Sequence, residues 1–144
     1  MGTSDDEPGT PVIEFRHVTK RFGDTTIAVD DLSLLAPSHR ITVLVGPSGC
    51  GKTTSLRMIN RMLEPSEGQI LVDGEQIETL DAVRLRRGIG YVIQHAGLFP
   101  HRTVAGNIAT VPRLLGWSRQ QVRDRAMELI EQVGLDAEYA DRYP

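Results

Sequence analysis

The stretch Ile41-Thr42-Val43-Leu44-Val45-Gly46-Pro47-Ser48-Gly49-Cys50-Gly51-Lys52-Thr53-Thr54 decides the fold. Its first five residues form a nearly continuous β-branched run, the composition of a strand buried on both faces. Residues 46–53 match G-x-x-x-x-G-K-[ST] in full, and residues 52–63 carry Leu56, Ile59 and Leu63 at helical spacing until Pro65 stops them. Strand, glycine-rich loop and helix in that order predict a phosphate-binding loop in an α/β nucleotide-binding core. Each residue type has a chemical reason. Glycines let the backbone wrap closely around a polyphosphate, whose charge meets the loop N–H groups and the positive end of the helix. Lys52 is expected to reach the β- and γ-phosphates, and the Thr53 hydroxyl to ligate Mg²⁺. Only Lys20 and Lys52 among the 16 basic residues are lysines, so lysine at this position suits the need for a compact point charge. A chance match somewhere in the chain has odds of about 1%.

Upstream, the chain reads as β-rich and antiparallel. Residues 1–11 are acidic, with Pro8, Gly9 and Pro11, and read as a flexible acidic tail. Residues 12–18 alternate as a half-buried strand, residues 21–24 read as a turn, residues 25–29 return, and residues 32–35 form another short strand closed by Pro37. Downstream, residues 69–72 and the dipeptide Asp73-Gly74 look like one arm of a hairpin. A short helix over residues 81–87 leads into a strand over residues 89–93. The remainder is helical: residues 103–115, disturbed by Pro112, then a helix opened by a Ser118/Gln121 capping box. The apolar face of that helix is Val122, Ala126, Leu129, Ile130 and Val133, and Gly134 ends it.

Composition bounds the function. The chain has 144 residues, 40% hydrophobic and 24% charged, which excludes a disordered or collagenous protein. The net charge of −3 gives no electrostatic basis for a nucleic-acid partner. The single cysteine, Cys50, permits no intrachain disulfide and points to a reducing compartment. The apolar runs are too short to cross a bilayer, and the acidic start is unlike a signal peptide. His17, His39, His95 and His101 have no metal-ligand spacing, so no zinc site is expected. The cluster Arg84, Arg86 and Arg87 reads as a solvated helix face, with a partner contact as the alternative. Cys50 is a small loop residue, or a thiol whose oxidation blocks nucleotide.

A phosphate loop alone does not name a reaction, because GTPases, kinases, helicases and transporters all use one. Asp73 ends the only apolar run closing on an acid, but Gly74 and Glu75 after it favour a turn over an Mg²⁺ ligand. There is no N-K-x-D guanine motif and no clear lid, which counts against a GTPase or a P-loop kinase.

The order of features resembles the ATP-binding subunit of ABC transporters. Residues 46–54 (GPSGCGKTT) are similar to that family's Walker A loop. Lys20-Arg21-Phe22-Gly23 resembles its A-loop, which implies that Phe22 stacks on adenine, with an exposed turn aromatic as the alternative. Gly90-Tyr91-Val92-Ile93-Gln94 resembles the strand entering its Q-loop, which implies that Gln94 touches Mg²⁺ and the attacking water and senses the membrane subunit, with a plain surface glutamine as the alternative. Residues 92–117, with Phe99-Pro100-His101 and residues 111–117, are similar to the subgroup importing quaternary-amine osmoprotectants such as glycine betaine, choline or carnitine. The resemblance implies an α/β fold: a P-loop NTPase core with an N-terminal antiparallel β portion and a partial helical subdomain over residues 12–144. Implied partners are a membrane permease subunit, a second ATPase subunit in a head-to-tail dimer and, indirectly, a solute-binding protein. The implied location is the cytoplasmic face of the cell membrane. The family's LSGGQ signature, Walker B strand and switch histidine follow a Tyr-Pro pair like Tyr143-Pro144, and none is among these residues. The expectation is an incomplete catalytic set, with a nucleotide-binding fragment without turnover as the alternative.

Overall fold

The computed structural model describes residues 11–93 and 97–144. They divide into two compact units, one ending at Ile89 and the other spanning Gly90–Pro144. Gln94 and His95 lie outside the described residues.

The first unit is built on an antiparallel sheet of strands β1 (Pro11–Phe22), β2 (Thr26–Pro37), β3 (Glu67–Val72) and β4 (Glu75–Gln76), in the order β2-β1-β3-β4. Pro11, assigned to the tail by sequence, opens β1. Residues 26–29 and 32–35 belong to one strand rather than two. Two facing irregularities explain the misreading. His17 in β1 and Asp31 in β2 both have positive φ (50° and 43°), and the register shifts between Phe15 and Val18. The extra residue resets the side-chain alternation, so Phe15 and Val18 are both buried. The His17 ring lies 2.8 Å from Asp31 Oδ1, and the Asp31 amide donates to Thr19 Oγ1 at 3.0 Å. Across from this bulge sits Gly68 (φ 82°), where a Cβ would come within 2.2 Å of the His17 carbonyl oxygen. Only glycine permits that approach.

Helix α1 (Lys52–Ile59) packs on the sheet through Met58, which joins Phe15, Val18, Val29, Ile70, Ile77 and Leu85 in the core. It ends four residues before the Leu63 terminus expected. Asp73 and Gly74, with φ of 51° and 78°, make the β3–β4 turn, and the Asp73 amide donates to the Val12 carbonyl at 2.9 Å. The turn reading of Asp73 holds. Helix α2 (Ala82–Gly88) begins at Asp81, whose carboxylate accepts from the Arg84 amide at 2.7 Å.

Two expected strands do not form. Residues 41–45 and 91–93 have no regular structure. Ile41 is 93%, Val45 88% and Val92 95% exposed. A β-branched run records the surroundings a strand needs, and a strand exists only where a neighbour completes its ladder. Among the described residues no strand flanks either segment.

The second unit contains α3 (Val104–Ile108), α4 (Thr110–Leu114) and α5 (Arg119–Gln132), then a 3-10 turn over Ala137–Asp141. The helix expected over residues 103–115 is divided at Ala109, because Pro112 has no N–H to offer the Ile108 carbonyl. The capping box forms as expected: Ser118 Oγ accepts from the Gln121 amide and Gln121 Oε1 from the Ser118 amide. Val122, Ala126 and Ile130 are buried, but Val133 is 69% exposed. Val133 falls at the helix end, where Gly134 (φ 75°) turns the chain away. The Gly134 and Leu135 amides donate to the carbonyls of Glu131 and Ile130, a Schellman closure.

Candidate functional site

The glycine-rich loop runs directly into α1, whose N-cap is Gly51 (φ 88°) with no side-chain cap. The helices opened by Asp81, Thr103 and Ser118 all have one. The first amides of α1 have no intrahelical acceptor, so they and the helix dipole are left to an anion. Gly51 is obligatory for a second reason. A Cβ there would lie 2.4 Å from the Ala28 carbonyl oxygen and 3.0 Å from Val29 Cγ2. The loop is therefore seated directly on β2.

Lys52 opens α1 and turns its ammonium back over the loop. Nζ donates to the carbonyls of Gly46 and Pro47, each at 2.7 Å, and lies 3.3 Å from Cys50 Sγ. The loop is closed by a 3.4 Å bond from the Cys50 amide to the Pro47 carbonyl. Ser48, Gly49, Cys50 and Thr53 are exposed, Thr54 is half-buried, and Ser55 behind them is buried, its hydroxyl donating to the Gly51 carbonyl at 3.1 Å. A cationic ammonium, exposed hydroxyls and uncapped helix amides thus lie within one short exposed stretch, residue types suited to a Mg²⁺-bound polyphosphate.

Phe22 is placed by the hairpin. It ends β1 opposite Thr26, two residues from the Ala28 that touches Gly51. At about 3.3 Å per residue, that is roughly 7 Å along the strand. The ring is 43% exposed, with Lys20 Nζ 5.2 Å from its centroid. The hairpin thus carries an exposed aromatic to the neighbourhood of the loop.

Sequence reading missed two organising side chains. Arg84, Arg86 and Arg87 are exposed, as expected of a solvated face, but Arg86 also bonds within the chain: its Nε donates to the Asn60 carbonyl at 3.0 Å and Nη2 to the Arg61 carbonyl at 3.2 Å. In the second unit Asn107 holds residues 99–103. Its Oδ1 accepts from the Phe99 amide at 2.7 Å, and Nδ2 faces the carbonyls of Phe99, Arg102 and Thr103 at 3.0–3.2 Å. On this base the Arg102 guanidinium stacks 4.7 Å over Phe99, and His101 meets the ring edge-on. A cleft of about 890 Å³ in the same unit is lined by Thr103, Gly106, Arg113, Trp117, Arg123 and Ala126 among others. No helix among the described residues is long and apolar enough to cross a membrane.

Residues 29–144 match the family model described as ABC transporter. The chain is 50% identical over 138 residues to the osmoprotectant import ATP-binding protein OsmV of Salmonella typhimurium, across 92% of this chain and 36% of that protein. It is 49% identical over 133 residues to the carnitine transport ATP-binding protein OpuCA of Listeria monocytogenes, across 92% and 34%. Among solved structures, the dimeric post-hydrolysis state of the ATP-binding cassette MJ0796 bound to ADP and Pi matches with a TM-score of 0.77 and 26% identity. That match covers 92% of this chain and 61% of the cassette. The chain spans about a third of the length of the two import proteins.

Proposed function

The chain belongs to the ABC transporter family, and from that premise we propose that it is the nucleotide-binding part of an ATPase subunit energising import of a quaternary-amine osmoprotectant such as glycine betaine, choline or carnitine. The observation that carries the reading is the loop over residues 46–54, with Lys52 at the uncapped start of α1. Phosphate oxygens enter among the loop amides, and the Lys52 ammonium exchanges the Gly46 and Pro47 carbonyls for the β- and γ-phosphates. The Thr53 hydroxyl and Gln94 would hold Mg²⁺, which when bound neutralises charge between those phosphates. Phe22 stacks on adenine. The solute class rests on the similarity to OsmV, an osmoprotectant import ATP-binding protein, and OpuCA, a carnitine transport ATP-binding protein.

In this reading the second unit faces the membrane permease, since Leu98, Phe99, Leu114, Leu115 and Trp117 are exposed beside arginines. A second ATPase subunit completes the site in a head-to-tail dimer, a reading supported by the dimeric state of the MJ0796 cassette. A solute-binding protein acts through the permease, and the subunit sits peripherally on the inner face of the membrane. Titration of the 144-residue chain with a fluorescent ATP analogue and Mg²⁺ tests the site. Lys52→Ala is expected to weaken binding at least about tenfold, the scale of one lost charge-assisted contact. Equal affinity in the two proteins removes the loop assignment.

A further inference from the structure

The far end of α1 is tied to α2 by two guanidinium groups that cross in opposite directions. From α2, Arg86 donates to the Asn60 and Arg61 carbonyls, 3.0 and 3.2 Å away. From the turn just after α1, Arg61 Nη1 donates to the Leu80 carbonyl at 2.7 Å, just ahead of α2. Asn60 is 2% exposed, and Arg61 takes a positive φ of 53° to begin the turn after the helix. The carbonyls that Arg86 holds belong to the helix C-terminus, where intrahelical donors have run out and a cation is favoured by the dipole. Arg84 and Arg87 of the same short helix hold neither carbonyl, so the tie is specific to one position.

The other end of α1, eight residues away, is the phosphate site. A helix this short is about 12 Å long, and it moves as one body. Met58 packs it against the sheet and Gly51 seats it on β2, and the Arg86 bonds add a polar anchor just past its C-terminal end. We propose that Arg86 is a positioning residue of the nucleotide site: by clamping the Asn60 and Arg61 carbonyls it sets the position of α1 and hence of Lys52 and the loop amides. This rests on the phosphate-site reading above.

The test compares nucleotide affinity of the 144-residue chain, measured with a fluorescent ATP analogue and Mg²⁺ well below the melting temperature, across five variants. Arg86→Gln is expected to lose about five- to tenfold in affinity and Arg86→Lys, which offers a single nitrogen where Nε and Nη2 each reach one carbonyl, about half of that on a logarithmic scale. Arg84→Gln is expected to match the unaltered chain. Ile70→Val, which loosens the core without touching the tie, is expected to lower the melting temperature and leave affinity unchanged, which separates positioning from stability. If Arg86→Gln does not fold, Arg86→Lys carries the test. Lys52→Ala distinguishes the two levels of failure. Binding that Lys52→Ala abolishes but neither Arg86 variant weakens overturns this proposal alone. Binding insensitive to Lys52→Ala overturns the phosphate-site reading and this proposal with it.

Discussion

At the scale of single residues, the site was legible where its chemistry is local. Lys52, Thr53 and the loop glycines lie within nine consecutive positions, so spacing alone names them. Phe22 needed the hairpin register to bring it toward Gly51, and its role carries a prediction. Phe22→Ala should weaken binding of an ATP analogue by about 1–3 kcal/mol, the worth of one stacked base, while leaving affinity for inorganic triphosphate unchanged. Loss of both together would assign the ring to the fold rather than to adenine. Gly51→Ala places a Cβ 2.4 Å from the Ala28 carbonyl oxygen at a φ of 88°; calorimetry should record destabilisation of about 1–3 kcal/mol from the strain. Arg86 and Asn107 were illegible because each acts on backbone carbonyls. Any residue supplies a carbonyl, so the partner leaves no trace in residue identity.

At the scale of elements, caps and turns followed sequence closely. The Ser118/Gln121 box, the Gly134 closure and the Asp73-Gly74 turn all depend on residues within a few positions of one another. Ser118→Ala should cost about 1 kcal/mol, seen as a lower thermal midpoint by circular dichroism. Strands were harder, since the phase of β1 and β2 is reset by the paired bulges at His17 and Asp31. The same sheet carries a pH-dependent pair. Two 2.7 Å bonds from the Arg16 guanidinium hold the Glu14 carboxyl below its ordinary pKa of 4.5. A carboxyl lowered in the folded state stabilises it above the unfolded pKa, and that contribution fades as pH falls through the folded value. The melting temperatures of the unaltered chain and Glu14→Gln should therefore differ near neutrality and converge on acidification below about pH 4. A gap that persists unchanged at low pH would exclude the charge as its cause.

At the scale of the whole molecule, composition described an ordinary globular chain, and order along the sequence identified a nucleotide-binding one. The 144-residue chain is predicted to bind Mg-ATP yet release phosphate no faster than its Lys52→Ala variant; robust Lys52-dependent turnover would show that these residues suffice for catalysis. What the sequence determined by itself was the glycine-rich loop motif, the helix caps and the tight turn, each written in residues close together along the chain, and the family, carried by several such local motifs in order. The tertiary structure alone decided that residues 41–45 and 91–93 form no strands here, that one bulged strand replaces two, and that Arg86 clamps the end of α1. The physical reason is shared. A strand, a register and a carbonyl contact each need a partner distant in sequence, and a local pattern can state what a segment would fit but not whether that partner is beside it.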